Sequence, residues 1–320
     1  MQEPLPERPT IIRANATSEG AVFLARQPRG EAMKVHVPKP GELIIIQPRD
    51  GGRLRAFVGG RPVGISGGAP GPYLGVINTS LMATVLLENV PPRFGDDFMR
   101  NDEEGALGGE WHLISGGMDI ARDAQAKLAA SPFHAVARGS KGSVHARTGR
   151  WFWNDYVVAV SFQYMGGTIG LDAYGYGNRS CRFTVGPDGM SIFVADSATG
   201  GKQILGSRPD TIEPGWHQLA LAVFGGKARA IVDLAAVLDA ELELPCGPCG
   251  LLVDGFDTRV DDVVVLPLDG RSPIEALREW WGESPVVRTA FQRDSEMRLW
   301  SRRTGLFVFD RANNAVVSST

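Results

Sequence analysis

The tetrapeptide Cys246–Cys249, CGPC, has the spacing of a dithiol redox motif. Such a motif works when a helix begins at its first cysteine, because the helix N-terminus lowers the thiol pKa there. The residues that follow, GLLVDGF, instead predict a strand and a turn. A zinc site needs about four ligands, and Cys181 with distant histidines would have to supply the rest. The pattern therefore predicts a β-turn whose cysteines are incidental.

Aromatic side chains are densest in residues 151–176. They include Trp151, Trp153, Tyr156, Tyr174 and Tyr176. Tyr174 and Tyr176 alternate with glycines on a predicted strand and share a face with Asp172. Exposed aromatic rings stack on the C–H faces of sugars, while polar neighbours bind hydroxyl groups. Tyr174, Tyr176, Asp172 and Gln163 are therefore the predicted ligand-binding residues.

The segment YVVAVSFQY, Tyr156–Tyr164, alternates as a strand that packs on one side. One face is wholly apolar or aromatic, and the other, which carries Gln163, is mixed. Trp151 and Tyr156 are predicted to fill the core or brace loops. Similar Gly- or Pro-bounded apolar runs recur along the chain, as they do in β-sandwiches.

Composition excludes several function classes. A net charge of −3 gives no general attraction to nucleic acid or an anionic membrane. No apolar stretch is long enough to span a bilayer. Four histidines show no metal or triad spacing and are predicted to be surface or turn residues. They are His112, His134, His145 and His217.

The chain repeats itself. GGRLRAFVGG begins at Gly51, and GGKARAIVDL begins 174 positions later, at Gly225. Two further matched segments keep the same order with nearly constant offset, which favours a structural repeat over chance. A second internal similarity relates FGDDFMR, from Phe94, to FQRDSEMR, from Phe291.

These internal similarities predict one complete unit over residues 93–268. Residues 1–90 resemble the late strands of a preceding copy, and residues 285–320 the early strands of a following one. Neither end supplies a counterpart of the middle strands, such as YVVAVSFQY. Head and tail strands are expected to pair within the chain, and the incomplete edges to promote self-association.

A helix is predicted over residues 271–283. Ser272 suits the N-cap, Pro273 the first helical position, and Glu275 the capping-box partner. Gly282 suits the stop. By propensity, residues 119–131 could form a second helix, although their place in the unit favours strand and loop.

The complete unit has an Asp-Asp-Phe opening, a Trp before a Gly-Gly turn, an SPF at 131–133, and four characteristic strand segments. These segments are TGRWFWNDYVVAVSFQY, IGLDAYGYGNRSCRFTV, EPGWHQLALAVFGGKARAIVD and RVDDVVVLPL. Together these features resemble the concanavalin A-like lectin/glucanase superfamily. Laminin-G-like and 3-keto-disaccharide hydrolase-like jelly rolls are the most similar members. The resemblance implies an all-β fold, an antiparallel jelly-roll β-sandwich flanked by partial copies of itself.

The resemblance also bears on catalysis. Glucanases of this class place two Glu and an Asp on one strand face as nucleophile and general acid. No Glu of this chain has an Asp two positions on, and Glu241 and Glu243 lie near a predicted edge or turn. The sequence therefore disfavours glycosidase activity of that type.

The first and last strands of such a sandwich are neighbours, and each carries paired aspartates. Asp96 and Asp97 would then approach Asp261 and Asp262. Clustered carboxylates suit Ca²⁺, a hard cation, and Ca²⁺ is the predicted structural cofactor. The alternative is charge placed to protect a sheet edge or cap a turn.

The sequence favours a non-catalytic carbohydrate-binding or adhesive module whose partner is a carbohydrate or another protein. A sugar-active hydrolase and a purely structural repeat of a larger assembly are the alternatives. Proteins of the resembled class are often exported. The N-terminus, MQEPLPERPT, lacks the basic-then-apolar order of a signal peptide, and the compartment stays open.

Overall fold

The structure is a computed structural model. It describes residues 10–25, 32–47, 54–67, 73–88, 91–98, 107–122, 133–137, 143–255, 258–281, 306–310 and 315–319. Antiparallel strands dominate these residues, which confirms the all-β prediction. None of the helices among them has the length and apolarity needed to cross a membrane.

The described residues before position 90 form nine strands. They are β1 Thr10–Ala16, β2 Gly20–Ala25, β3 Ala32–Val37, β4 Gly41–Ile46, β5 Arg55–Val58, β6 Arg61–Pro62, β7 Ile65–Gly67, β8 Tyr73–Ile77 and β9 Leu81–Glu88. One sheet has the order β6-β5-β4-β1-β9, and the other β7-β3-β2-β8. Buried side chains from both sheets, including Ile12, Leu43, Val22 and Val35, form one cluster between them. These strands are called the N-terminal unit below.

The next fifteen strands form a larger sandwich, called the central unit. They are β10 Phe94–Asp96, β11 His112–Ser115, β12 Met118–Arg122, β13 Phe133–Ala137, β14 Ser143–Thr148, β15 Tyr156–Tyr164, β16 Thr168–Tyr176, β17 Arg179–Gly186, β18 Gly189–Asp196, β19 Gly201–Arg208, β20 Gly215–Phe224, β21 Lys227–Val232, β22 Ala235–Glu241, β23 Cys249–Asp254 and β24 Arg259–Pro267. The eight-stranded sheet has the order β12-β13-β24-β15-β20-β21-β22, with β10 also paired to β24. The seven-stranded sheet has the order β11-β14-β23-β16-β17-β18-β19. Inward-facing residues of both sheets, such as Phe162 and Phe183, pack into one continuous core.

The outer face of the eight-stranded sheet is half covered by α1, Pro273–Trp281. Ser272 Oγ accepts from the Glu275 amide, and Glu275 Oε2 accepts from the Ser272 amide, so the predicted capping box is confirmed. Leu277 of the helix packs on Val157 and Ala159 of β15. Strand β15, which the sequence predicts to pack on one face, is thus buried on both faces for half its length. Gly282 lies outside the described residues.

The strand order of the N-terminal unit repeats that of the central unit. The run β9-β1-β4-β5-β6 matches β24-β15-β20-β21-β22 position by position. The same bulge occurs in both: the register jumps between Arg13 and Asn15 of β1, and between Ala159 and Ser161 of β15. The sequence comparison finds no N-terminal counterpart of β15, but β1 occupies that place. That expectation is therefore wrong, because the seven residues of β1 pair like β15 without resembling it in sequence.

The C-terminal strands β25, Leu306–Asp310, and β26, Ala315–Ser319, form an antiparallel hairpin. Among the described strands, this hairpin is a sheet of its own, so the expected head-to-tail pairing within the chain is not present there. The segment considered as a second helix begins as β12 up to Arg122, and its residues 123–131 lie outside the described residues. The assignment of both ends as partial copies stays a prediction.

Candidate functional site

Polar side chains occupy the part of the eight-stranded sheet's outer face that α1 leaves open. They form two rows across β24, β15 and β20, defined by the strand register. The rows are Arg259–Gln163–Trp216 and Asp261–Ser161–Gln218. Directly opposed residues of antiparallel strands project to the same face, so six side chains share one surface. We call this surface the Trp216 patch.

Trp216 is the most exposed member of the patch, with 52% of its surface accessible. Arg259, Gln163, Ser161 and Gln218 are half-buried. A large ring with one open face thus lies beside amide, guanidinium and hydroxyl groups, which can donate and accept hydrogen bonds in several directions. The patch can therefore stack on a flat apolar face and bind hydroxyl groups at its rim.

A β-bulge in β24 determines which face of the sheet Arg259 and Asp261, the β24 residues of the two rows, project from. Two residues of β24, Asp262 and Val263, oppose one of β15, Val160, and Asp262 adopts a left-handed conformation with φ of 48°. Without the extra residue, the alternation would turn Asp261 and Arg259 inward, because Val264 faces outward under the helix. The bulge instead keeps Val260 in the core and places both charged residues outside.

Asp261 has the most perturbed carboxyl group near the patch. Burial to 9% exposure and the nearby carboxylates of Asp262, Asp97 and Asp96 raise its pKa to about 8. The Asp262 amide donates to Asp261 Oδ1 at 2.9 Å and offsets part of this rise. Asp261 is therefore largely protonated at neutral pH, and a cation would favour its charged form.

The structure brings the four predicted calcium aspartates into one electrostatic neighbourhood, and Asp96 also has a structural role there. Asp96 Oδ2 accepts from Trp111 Nε1 at 2.7 Å, and Asp96 Oδ1 accepts from the Phe98 amide at 2.9 Å. Within the described residues, no three His, Cys, Asp or Glu side chains are arranged closely enough to hold a metal ion as they stand. Calcium at this position stays a proposal.

Asp172 does not reach a solvent-exposed site. It is fully buried on the outer side of the seven-stranded sheet, where its Oδ2 is 2.6 Å from His145 Nε2 and 2.8 Å from Arg147 Nη2. Gly250 lies between Arg147 and Asp172 in the register. Because it has no side chain there, the guanidinium can cross to the carboxylate. Asp172 therefore orients basic side chains and is enclosed by them.

Tyr174 has no ring face open to a ligand, which corrects its predicted stacking role. Its side chain is fully buried, its φ is 50°, and the pairing of β16 with β17 shifts register between Ala173 and Tyr176. Its hydroxyl donates to the Val223 carbonyl at 3.2 Å and accepts from the Asp155 amide at 2.9 Å. The bulge turns the ring into the sandwich, where it links β15, β16 and β20.

Tyr176 lies at the contact between the two units. Its hydroxyl donates to Glu42 of the N-terminal unit. An apolar cluster surrounds this bond and contains Ile11, Ile44, Ile46 and Phe57 with Cys246, Trp151, Phe152 and Tyr176. Arg55 crosses the same contact, with Nη2 3.3 Å from Asp155 Oδ1. These residues hold the units together. Gln163 is the predicted ligand-binding residue that lies in the Trp216 patch.

The cysteines and histidines also occupy structural positions. Cys246 and Cys249 are free and buried, and burial raises the pKa of Cys246 to about 12, the opposite of what a redox thiol needs. His134 and His145 are only 7% exposed, so the prediction of surface or turn positions is wrong for both. Each lies within a strand, where short flanking runs hide the alternation. His112 is exposed and His217 is half-buried, and Glu241 and Glu243 are both exposed.

Trp216 is the site residue that the sequence analysis misses. The signal lies in WHQLALAVF, where Leu219, Leu221 and Val223 face the core. Even-numbered positions of this strand therefore face outward, and Trp216 begins that outward series beside Gln218. A tryptophan on the outward face of a strand is a candidate contact residue by alternation alone.

No protein-family model matches the chain, and a search of curated protein sequences finds no match. Similar solved structures include the carbohydrate-binding module CBM66 from Bacillus subtilis, at 16% identity and a TM-score of 0.39 over 49% of this chain and 95% of that one. A Bacillus subtilis protein of unknown function with a galectin-like fold is 9% identical, with a TM-score of 0.42 over 55% and 98% of the two chains. A beta-1,3-glucanase from Mycobacterium marinum is 13% identical, with a TM-score of 0.37 over 54% and 98%. The two facing antiparallel sheets confirm the predicted fold class, an antiparallel jelly-roll β-sandwich.

Proposed function

We propose that this protein binds carbohydrate through the Trp216 patch. The observation that carries the proposal is a tryptophan, 52% exposed, in register with an amide and a guanidinium on one open sheet face. A sugar ring has an apolar C–H face and a polar rim, and the patch is complementary to both. The carbohydrate-binding module and the glucanase among the similar structures agree with a sugar ligand.

The shape of the patch favours an extended ligand. Three strands of a sheet form a shallow surface, and the two rows run across these strands from Trp216 towards β24. A polysaccharide can lie along such a surface with one residue on the ring and the next over Gln163 and Arg259. Hydrogen bonds to side chains fixed by cross-strand packing lose little conformational entropy on binding.

One observation favours a sugar-active hydrolase as the second candidate. Asp261 lies in the same patch with its pKa raised to about 8, as a general acid for glycoside cleavage requires. Its partner would have to be a second carboxylate on the other side of the scissile bond. Asp262 and Asp97 are the neighbouring carboxylates that raise its pKa.

Affinity electrophoresis of the full chain tests the proposed function. Native gels containing a β-1,3-glucan, an arabinan, a xylan or a pectin should slow the protein in at least one case, relative to a gel without polysaccharide. The same polymers incubated with the protein report hydrolysis as new reducing ends, and Asp261→Asn should abolish any release. Equal mobility in every gel would contradict carbohydrate binding, whereas turnover that Asp261→Asn abolishes would make the hydrolase the better description.

We also propose that Ca²⁺ occupies the aspartate cluster at alkaline pH. Between the unfolded pKa, near 3.8, and the folded value, about 8, the folded state keeps a proton on Asp261 that the unfolded state has released. Without a cation, the free energy of unfolding should therefore fall as the pH rises through this window. His134, the neighbour of Ala135 on β13, and Arg259 are further titratable groups on this side of the sheet.

Millimolar Ca²⁺ should raise the melting temperature at pH 8 by several degrees and have a smaller effect at pH 5. At 100 times its Kd, a ligand selective for the folded state stabilises it by about 2.7 kcal/mol. Differential scanning fluorimetry in Ca²⁺, Mg²⁺ and chelator measures the shift. Asp261→Asn is the matched variant, and it should remove both the pH dependence and the calcium response. Identical melting curves in Ca²⁺ and chelator at pH 8 would exclude the site.

A further inference from the structure

The last two strands of the N-terminal unit each lie at the end of a sheet. Among the described strands, β9 pairs only with β1, and β8 only with β2. Their counterparts in the central unit are covered: β24 pairs with β10 and β13 as well as β15, and β23 pairs with β14 as well as β16. An edge strand presents unpaired N–H and C=O groups that template pairing with another strand.

Exposed apolar side chains mark this open edge. Val76 and Ile77 at the end of β8 are 40% and 53% exposed, and Met82 on β9 is 61% exposed. The shared bulge aligns Met82 with Asp261 and Leu81 with Val260, because Asn15 pairs with Met82 as Ser161 pairs with Asp261. Asp261 is only 9% exposed. The aligned position is thus buried at Asp261 in the central unit and exposed at Met82 in the N-terminal unit.

The C-terminal hairpin matches the element that covers β24. β12 and β13 form an antiparallel hairpin of five residue pairs, and β13 then pairs with β24. β25 and β26 also form an antiparallel hairpin of five pairs, and no third strand joins them among the described residues. In the sequence, FQRDSEMR precedes β25 as FGDDFMR precedes β12. Hairpin and edge are therefore complementary by topology.

We infer that β26 of a second copy of this chain pairs with the β9 edge, as β13 pairs with β24. Within one chain, the hairpin and β9 belong to separate sheets, and a second copy carries the identical hairpin. Addition of a strand to an exposed edge satisfies backbone groups on both sides. The contact joins two different surfaces, so repeated contacts join copies head to tail.

The register of this contact follows from the central unit. Ala135 of β13 pairs with Val260, and the next pair in that register is His134 with Asp261. The two hairpins align through their end pairs, Met118 with Ala137 and Leu306 with Ser319. Position 316 of β26 then corresponds to His134. Val316 should therefore lie opposite Met82 of the other copy.

Disulfide trapping in the full chain tests the pairing. A mixture of a Met82→Cys chain with a Val316→Cys chain should form a cross-linked heterodimer under mild oxidation, because paired strands hold the two thiols at high effective concentration. The yield should exceed by at least ~5-fold that of Met82→Cys mixed with Ile204→Cys, whose position is 56% exposed on a different strand. The native cysteines are buried, and the unsubstituted chain reports their background.

A second measurement keeps the test independent of the introduced thiols. Light scattering of the full chain should show a mass that increases with concentration. Met82→Lys, which places a charge on the edge, should lower that mass, and Ile204→Lys should not. The pairing would lie within one chain if a Met82→Cys/Val316→Cys double variant formed an intramolecular disulfide and the mixture of single variants formed no heterodimer. That result would overturn the inference of a second copy. A heterodimer yield equal to the Ile204→Cys control would overturn the pairing itself.

Discussion

Replacement of Trp216 by alanine should weaken polysaccharide binding by at least ~30-fold while the protein stays folded. Aromatic residues at the centre of a binding surface commonly contribute 2 kcal/mol or more, and about 1.4 kcal/mol corresponds to a factor of ten in Kd. Because the ring is 52% exposed, its removal costs little core packing. Retardation in affinity gels, or titration calorimetry with the retained polymer, measures the loss.

Matched variants separate stacking from a general loss of surface. Trp216→Phe keeps an aromatic face and should retain part of the affinity. Met165→Ala removes a side chain that is 56% exposed and lies outside both rows, so it should bind like the parent. Gln163→Ala should weaken binding by about tenfold through the loss of hydrogen bonds. Parent-like affinity of Trp216→Ala would place the ligand on another surface.

The sequence predicts the all-β architecture because that information is local. Each strand is a short apolar run between glycines or prolines, and the capping box of α1 needs only Ser272 and Glu275. Alternation also assigns most core residues correctly, as for Phe162 and Leu221. These features depend on neighbours in the chain, and a single sequence contains them.

The errors arise where a strand departs from regular alternation. Tyr174 and Asp172 would share an outward face on an ideal strand, but the bulge at Tyr174 turns its ring inward. The bulge at Asp262 likewise turns Asp261 and Arg259 outward. A single extra residue reverses every later position of a strand. Composition does not reveal it, because aspartate and tyrosine are not residues that demand a left-handed φ.

The second class of error concerns contacts between units. Tyr176 between two glycines has the sequence pattern of an accessible aromatic residue. In this chain, Glu42 and Ile44 of the N-terminal unit lie against it. The burial of Tyr176 depends on how the two units contact each other. Alternation of residues within one unit contains no information about that contact.

Tyr174→Ala should lower the free energy of unfolding by about 3–5 kcal/mol, the range for loss of a large buried aromatic side chain. The fully buried ring packs edge-on against Tyr156 at a centroid distance of 5.6 Å. Tyr174→Phe keeps the ring and should cost about 1–3 kcal/mol, because the Asp155 amide and the Val223 carbonyl lose a partner. Burial also raises the pKa of Tyr174, so its hydroxyl stays a donor throughout the working pH range. Urea denaturation followed by tryptophan fluorescence measures both losses.

This prediction distinguishes a structural tyrosine from a ligand contact. Below the unfolding transition, Tyr174→Phe should bind polysaccharide like the parent, since no part of the ring reaches the surface. Tyr176→Phe is the matched variant at the contact between units, where it removes the hydroxyl that donates to Glu42. Its effect on stability should be smaller, because that side chain is half-buried. If Tyr174→Ala left the urea midpoint unchanged but abolished retention on polysaccharide, Tyr174 would be a ligand contact. The Trp216 patch would then not be the binding site.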